Sequence, residues 1–273
     1  MTEKRAELVD ALARGLSVIE AFDENDPEMT LSAVAHKTNL SPATARRILR
    51  TLQLMGYVGS LNKRFFLLPR VLGLGSAFMR STQTEDALLP ELRRLVDLFG
   101  DAASVGILSG ADVFYLAHTS DQRAIRPVAG LGVSYPLYAT SMGKILLSGQ
   151  PQDSFENYLA QTERDALTSA TITDPDGIRA EVSKAAKQGY ATVRDELAYG
   201  VTALAVPIFL PSEGIVAAVN TSGYSGHVTP EKLVEDRLEE MRISARRIAE
   251  TLLRYPVLRN GFIGGTWPFS TTA

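Results

Sequence analysis

Residues 38–56 read TNLSPATARRILRTLQLMG, and the fold of the amino-terminal part of the chain turns on them. Thr38-Asn39-Leu40 is a tight turn. Ser41 is a good N-cap, because its side-chain oxygen can accept from a free amide of the first helical turn. Pro42 suits the first helical position, where its missing N–H would be unpaired anyway. The helix that starts here divides by angle, since each residue advances about 100°. Ala45, Ile48, Leu49, Leu52 and Met55 gather on one side; Arg46, Arg47 and Arg50, with Ala43, gather on the other. Three guanidinium groups therefore project from a helix whose underside is core, and Gly56 ends it.

Upstream, Leu8, Leu12, Leu16, Ile19 and Phe22 recur at three- and four-residue intervals, which predicts an amphipathic helix over Glu7 to Phe22. Asp23-Glu24-Asn25-Asp26-Pro27 stops it. Thr30 caps a short second helix through Lys37, with Leu31, Val34 and Ala35 turned inward. Downstream, residues 57–61 and 64–68 read as two strands around Asn62-Lys63. Short helix, turn, basic helix and basic hairpin together make a winged helix-turn-helix. The first turn of its recognition helix faces base edges in the major groove of double-stranded DNA. Ser41, Ala43, Thr44 and Arg47 are the base-reading candidates, with Arg46 and Arg50 on bases or flanking phosphates. Lys63 and Arg64 are expected on backbone phosphate or in the minor groove, giving affinity more than sequence choice.

Charge supports this division. The net charge of −3 hides an asymmetry: residues 1–84 carry 11 Lys+Arg against 8 Asp+Glu, whereas residues 85–273 carry 17 against 23. Ser41 to Arg80 holds seven basic residues and no acid. A basic module on an acidic body is what one phosphate-binding part would produce.

Composition closes other routes. With 45% hydrophobic and 22% charged residues in a chain of 273, disordered and fibrous classes drop out and two domains fit the length. The absence of cysteine excludes disulfides, thiolate metal sites and a cysteine nucleophile. His36, His118 and His227 lack metal-ligand spacing, so no metal and no cofactor are expected. Residues 1–10 mix Glu3, Lys4, Arg5, Glu7 and Asp10 rather than forming a signal peptide. No run of about 18 apolar residues spans a bilayer, so the expected location is the cytoplasm, with no membrane partner.

Beyond the wing, Pro69 breaks the strand and Arg70 to Ser81 can run as a linker helix with more apolar residues than one face needs. The expected organisation is 1–69 DNA-binding, 70–84 linker helix, 85–255 effector-binding and 256–273 a loose tail in which Trp267 and Phe269 could dock. Ala103 to Leu108 and Val113 to His118 form one hairpin, Ala203 to Leu210 and Ile215 to Thr221 a second. Helices are expected over Ala87 to Phe99 and near Ser141 to Leu147, Asp153 to Leu159 and Asp176 to Gln188. A last helix is capped by Thr229 and Pro230 and buries Val234, Leu238, Met241, Ala245, Ile248 and Leu252. Hairpins covered by helices define an α+β fold with an antiparallel sheet.

The residues also resemble a known family. Residues 12–19 with Phe22, the recognition segment and Gly56-Tyr57-Val58 resemble the opening of IclR-type regulators. Tyr138 to Leu147, Gly189-Tyr190-Ala191, Ala205 to Ile208 and Ser222-Gly223 are similar to that family's effector domain, so the likeness runs in order over residues 8–254. It implies a GAF-like effector domain, homodimers or dimers of dimers, and control of carbon-source catabolism. The Thr-Ser-Met-Gly-Lys segment at 140–144 most resembles the branch sensing protocatechuate or para-hydroxybenzoate. Thr140, Ser141 and Met142 then stand at a helix start that favours a small carboxylate, with Arg123, Arg126 or Arg194 as a second charge partner. Asn220 and Ser222 match family pocket positions. Where related sequences often carry an acid and, eight residues on, an arginine, this chain has Arg194 and Thr202.

Other readings are a regulator of the same fold sensing glyoxylate or pyruvate, a small-molecule hydrolase, and a pure interaction scaffold. Gly223-Tyr224-Ser225-Gly226-His227 lacks the second glycine of a nucleophile elbow and reads as a turn. Gly130-Leu131-Gly132 lacks the rest of a dinucleotide fingerprint.

Overall fold

The computed structural model describes residues 9–23, 25–121 and 130–263. The chain divides into two compact units, Met1–Arg80 and Ser81–Ala273.

The first unit runs α1 (Asp10–Glu20), β1 (Glu28–Thr30), α2 (Leu31–Lys37), α3 (Pro42–Leu54), β2 (Val58–Leu61) and β3 (Arg64–Leu67). Thr30 and Ser41 cap α2 and α3 as their side chains suggest: Thr30 Oγ1 accepts from Ala33 N at 3.3 Å, Ser41 Oγ from Thr44 N at 3.2 Å. Leu61 pairs with Arg64, leaving a two-residue hairpin turn in which Asn62 and Lys63 both take positive φ (51° and 64°). That is the geometry whose twist matches the flanking strands. The core is Val18, Ala21, Met29, Val34, Leu49, Leu52 and Val58.

Four sequence expectations shift here. The buried contact of α1 is Val18, while Leu12 and Leu16 are exposed and Leu8 lies outside the described residues. Met55 is also exposed, because α3 has ended at Leu54 and the chain is turning into the wing. The wing is three-stranded, in order β1-β3-β2, since Glu28-Met29-Thr30 adds to its edge. A 3-10 turn (Pro69–Val71) precedes α4 (Leu72–Thr82), so the linker helix begins two residues later than its sequence suggests. Left-handed Gln83 (φ 53°) separates α4 from α5 (Thr84–Phe99).

The second unit is a six-stranded antiparallel sheet, β6-β5-β4-β9-β8-β7, formed by β4 (Ala102–Ser109), β5 (Asp112–Ser120), β6 (Ser134–Pro136), β7 (Ala191–Arg194), β8 (Val201–Leu210) and β9 (Gly214–Tyr224). Helices α6 (Ser141–Ser148), α7 (Gln152–Gln161) and α8 (Pro175–Gln188) intervene between β6 and β7; α9 (Pro230–Leu252) and α10 (Pro256–Ile263) follow β9. On one face Val105, Leu204, Val206 and Val219 pack with Leu88, Leu92, Met241 and Ile248 of α5 and α9. On the other, Val113, Tyr115, Ala205 and Ala218 pack with Met142, Ile145, Tyr158 and Ile178 of α6, α7 and α8. An α+β layered unit results.

Helix α9 buries Met241, Ala245, Ile248 and Leu252 as expected, but its first turns bury Leu233 and Arg237 in place of Val234 and Leu238. Arg237 is matched there: it donates to Asp101 and to Thr221 Oγ1 and lies 5.0 Å over the Phe99 ring. The segment after Pro256 is not loose through residue 263. It forms α10, which buries Leu258 and Phe262; Trp267 and Phe269 lie outside the described residues.

Candidate DNA-reading surface and effector site

Helix α3 presents Ala43, Arg46, Arg47 and Arg50 to solvent while Ala45, Leu49 and Leu52 are buried. Among the described residues none of the three guanidinium groups has an acidic or other side-chain partner, so a cationic ridge stands free. Ser41 Oγ lies 2.9 Å from Thr44 Oγ1, which fixes both at the exposed first turn. The other basic residues differ. Lys63 is exposed at the wing tip and has no acidic partner among the described residues, whereas Arg64 is drawn to Glu28 on the edge strand (Nε to Oε1 3.5 Å). Lys37 is held by Asp23 and Asp26 at 2.6 Å each, which raises its pKa. Arg70 lies 5.3 Å over the Tyr57 ring.

In the second unit Thr140 caps α6, its Oγ1 accepting from Gly143 N at 3.0 Å. The amides of Ser141 and Met142, the first two of the helix, have no helical partner. Ser141 is 1% exposed, yet its Oγ makes no hydrogen bond. Gly143 is a steric requirement: a Cβ there would sit 2.1 Å from Leu137 O, so the start of α6 packs directly on the turn before it. Met142 lies against Gly106 of β4, which seats α6 on the sheet.

Strand parity sorts the remaining candidates. Asn220 pairs with Ala205 and Ser104, and Ser222 with Ala203 and Ala102, so both stand on the α6 face with Ala218. Asn220 is buried, and its Oδ1 has no partner. Arg194 pairs with Thr202 on the opposite parity and donates to Ser225 O at 3.2 Å, near Asp195. The structure therefore does not bring Arg194 to Ser141 and Asn220, because one residue along a strand reverses the face. Arg123 and Arg126 lie outside the described residues.

Sequence reasoning missed a buried charge cluster. Lys144 Nζ lies 2.7 Å from Glu196 Oε1 and 3.3 Å from Glu181 Oε2. Burial holds the Glu196 carboxyl above the usual carboxylate range against the pull of Lys144. Nothing local signals this, since the three residues are far apart in sequence. A groove of about 440 Å3 runs beside α9, lined by Val206, Phe209, Arg242, Ala249 and Leu253, and includes none of the expected effector residues.

The residues of the hydrolase reading make a structural turn. Ser225 Oγ donates to Asp195 Oδ1 at 2.7 Å, and His227 stacks edge-on against Tyr224. Among the described residues no helix is long and apolar enough to cross a membrane.

A free cationic helix on a winged unit, joined in one chain to an α+β unit, defines a DNA-binding regulator. The chain belongs to the IclR family: it matches the IclR helix-turn-helix domain over residues 11–60 and the bacterial transcriptional regulator IclR C-terminal domain over residues 77–250. It is 36% identical over 242 residues to the Pca regulon regulatory protein of Pseudomonas putida, covering 88% of this chain and 83% of that one. The p-hydroxybenzoate hydroxylase transcriptional activator of Acinetobacter baylyi is 28% identical over 246 residues, covering 88% and 90%. The crystal structure of a transcriptional regulator from Rhodococcus sp. RHA1 matches with TM-score 0.76 at 38% identity, covering 90% and 99%. An IclR homolog complexed with 4-hydroxybenzoate, from Microbacterium hydrocarbonoxydans, shares the fold with TM-score 0.73 at 22% identity, covering 90% and 100%.

Proposed function

We propose that this regulator senses a hydroxylated aromatic carboxylate, of the protocatechuate or 4-hydroxybenzoate type, on the α6 face of its second unit. The observation that carries the reading is the buried, unpartnered Ser141 Oγ beside the two free amides that open α6. A carboxylate there meets the positive end of the helix dipole and three donors. Asn220 Oδ1, an unsatisfied acceptor on the same face, suits a ligand hydroxyl. The names of the Pseudomonas and Acinetobacter relatives support the same ligand class.

On the DNA side, Ser41, Ala43, Thr44 and Arg47 read bases, while Arg46, Arg50, Lys63 and, more weakly, Arg64 hold phosphate. The chain acts in the cytoplasm as a homodimer or dimer of dimers, by binding and without catalysis. Exposed Leu12 and Leu16 on α1 and Leu72, Leu74 and Phe78 on α4 supply apolar area for such assembly.

The test is a gel-shift titration on the adjacent promoter with protocatechuate, 4-hydroxybenzoate, glyoxylate and pyruvate. An aromatic acid is expected to change DNA affinity by about 1 to 3 kcal/mol. A response confined to glyoxylate or pyruvate replaces the ligand class, and no response to any acid removes the effector reading.

A further inference from the structure

On the α6 face, one row of the sheet sets three polar side chains side by side. Ser104 at its centre is the register partner of Asn220 on one side and His118 on the other. Adjacent strands lie about 5 Å apart, so the three side chains stand side by side. His118 is there because of a bulge. The β4–β5 register steps from Val105↔Ala117 to Gly106↔Tyr115, leaving Leu116 unmatched. Without that extra residue, Tyr115 and His118, three apart, would face opposite sides; with it, both face α6.

The row keeps spare hydrogen-bonding capacity: the Asn220 side chain bonds Tyr115, while its Oδ1 has no partner. Ser104 is 2% exposed and Asn220 4%. Ser104 Oγ lies 3.0 Å from His118 Nδ1, and among the described residues the other ring nitrogen, Nε2, has no partner. His118 is only half-buried, so that nitrogen is within a ligand's reach. Burial also holds the ring's pKa below its ordinary value, which favours the neutral imidazole. A neutral ring offers one nitrogen to Ser104 and the other to whatever occupies this face.

We infer that His118, oriented by Ser104, is a ligand-contacting residue of the effector site, and that with Asn220 it selects hydroxylated aromatic acids over unsubstituted benzoate by binding the ring hydroxyl. This rests on the reading that the α6 face holds an aromatic acid with its carboxylate at Ser141. It adds a residue whose side of the sheet is set by a bulge.

The test is calorimetric titration of the full chain with 4-hydroxybenzoate and with benzoate, in wild type, His118→Ala, His118→Gln and Ser104→Ala. Wild type is expected to prefer 4-hydroxybenzoate about tenfold or more, because a hydrogen-bonding site rejects the analogue that leaves it unpaired. His118→Ala brings the two acids within about twofold, His118→Gln keeps much of the preference through its side-chain amide, and Ser104→Ala loses part of it. In wild type, the ring resonances of His118 shift with 4-hydroxybenzoate while those of His36 and His227 do not, a readout that needs no variant to fold. An unchanged preference in His118→Ala, or a His118 resonance that stays put at saturation, overturns this inference and leaves the aromatic-acid reading standing. Failure of wild type to bind either acid overturns both.

Discussion

Lys144 and Glu196 form an ion pair of 2.7 Å in which the lysine side chain is 2% exposed and the glutamate side chain 9%. Lys144 belongs to the helix whose first turn is the proposed carboxylate site, and Glu196 follows β7, so the pair ties α6 to the edge of the sheet. Removing one partner leaves the other charge buried and uncompensated, which costs about 3 to 5 kcal/mol. Lys144→Met should lower the stability of the second unit by that amount, and the double change Lys144→Met/Glu196→Leu should recover most of it. Denaturant unfolding monitored on the full chain checks both.

The same pair gives a pH dependence with a definite sign. Burial, opposed by Lys144, raises the Glu196 carboxyl above its unfolded value. Its contribution to stability is therefore full below the unfolded carboxylate value and is lost as pH rises through the raised folded value. Glu196→Gln should flatten the stability profile across that window. Lys144→Met should be costlier at pH 8 than at pH 5, where Glu196 can escape its burial by taking up a proton. Thermal melts of the three proteins across this range decide it.

Within the wing, the two adjacent basic residues are not equivalent. Lys63, at the hairpin tip, has no acidic partner among the described residues, while Arg64 is engaged with Glu28. Lys63→Ala should weaken DNA binding uniformly across sequences and reduce the salt slope by about one. Arg64→Ala should do less, and Lys37→Ala, already neutralised by two aspartates, should leave the slope unchanged. Anisotropy titrations at stepped salt on specific and random duplexes separate these outcomes.

For the effector, Ser141→Ala should lower 4-hydroxybenzoate affinity about tenfold by removing one buried donor to a charged group. Arg194→Ala should leave it unchanged, because Arg194 stands on the opposite face of the sheet. Calorimetry giving native affinity in Ser141→Ala, or a large loss in Arg194→Ala, would move the site.

Local chemistry made the first unit readable. Ser41, Pro42 and Gly56 punctuate α3 unambiguously, and the angular separation of its arginines from Leu49 and Leu52 needs nothing beyond helical geometry. Edge strand β1 was not legible, because Glu28-Met29-Thr30 is too short to show an alternation. Helix α10 was hidden by a segment rich in helix-breaking residues. On the sheet, the side that a residue faces depends on parity, and parity depends on where a strand starts and whether it bulges. Arg194 and His118 show this: Arg194 stands one residue out of phase with the α6 face, and the unmatched Leu116 turns His118 toward α6. The Lys144–Glu196 pair and buried Arg237 depend on long-range partners that no spacing announces.

The free ridge of Arg46, Arg47 and Arg50 is tested most directly by anisotropy of a labelled fragment of the adjacent promoter, comparing wild type with Arg47→Ala and with Arg46→Ala/Arg47→Ala/Arg50→Ala. Arg47→Ala should cost about 1 to 3 kcal/mol of specific binding, and the triple variant should lose sequence preference and about two to three units of salt slope, with melting temperature unchanged. Native affinity and native slope in a folded triple variant would mean that α3 does not read DNA.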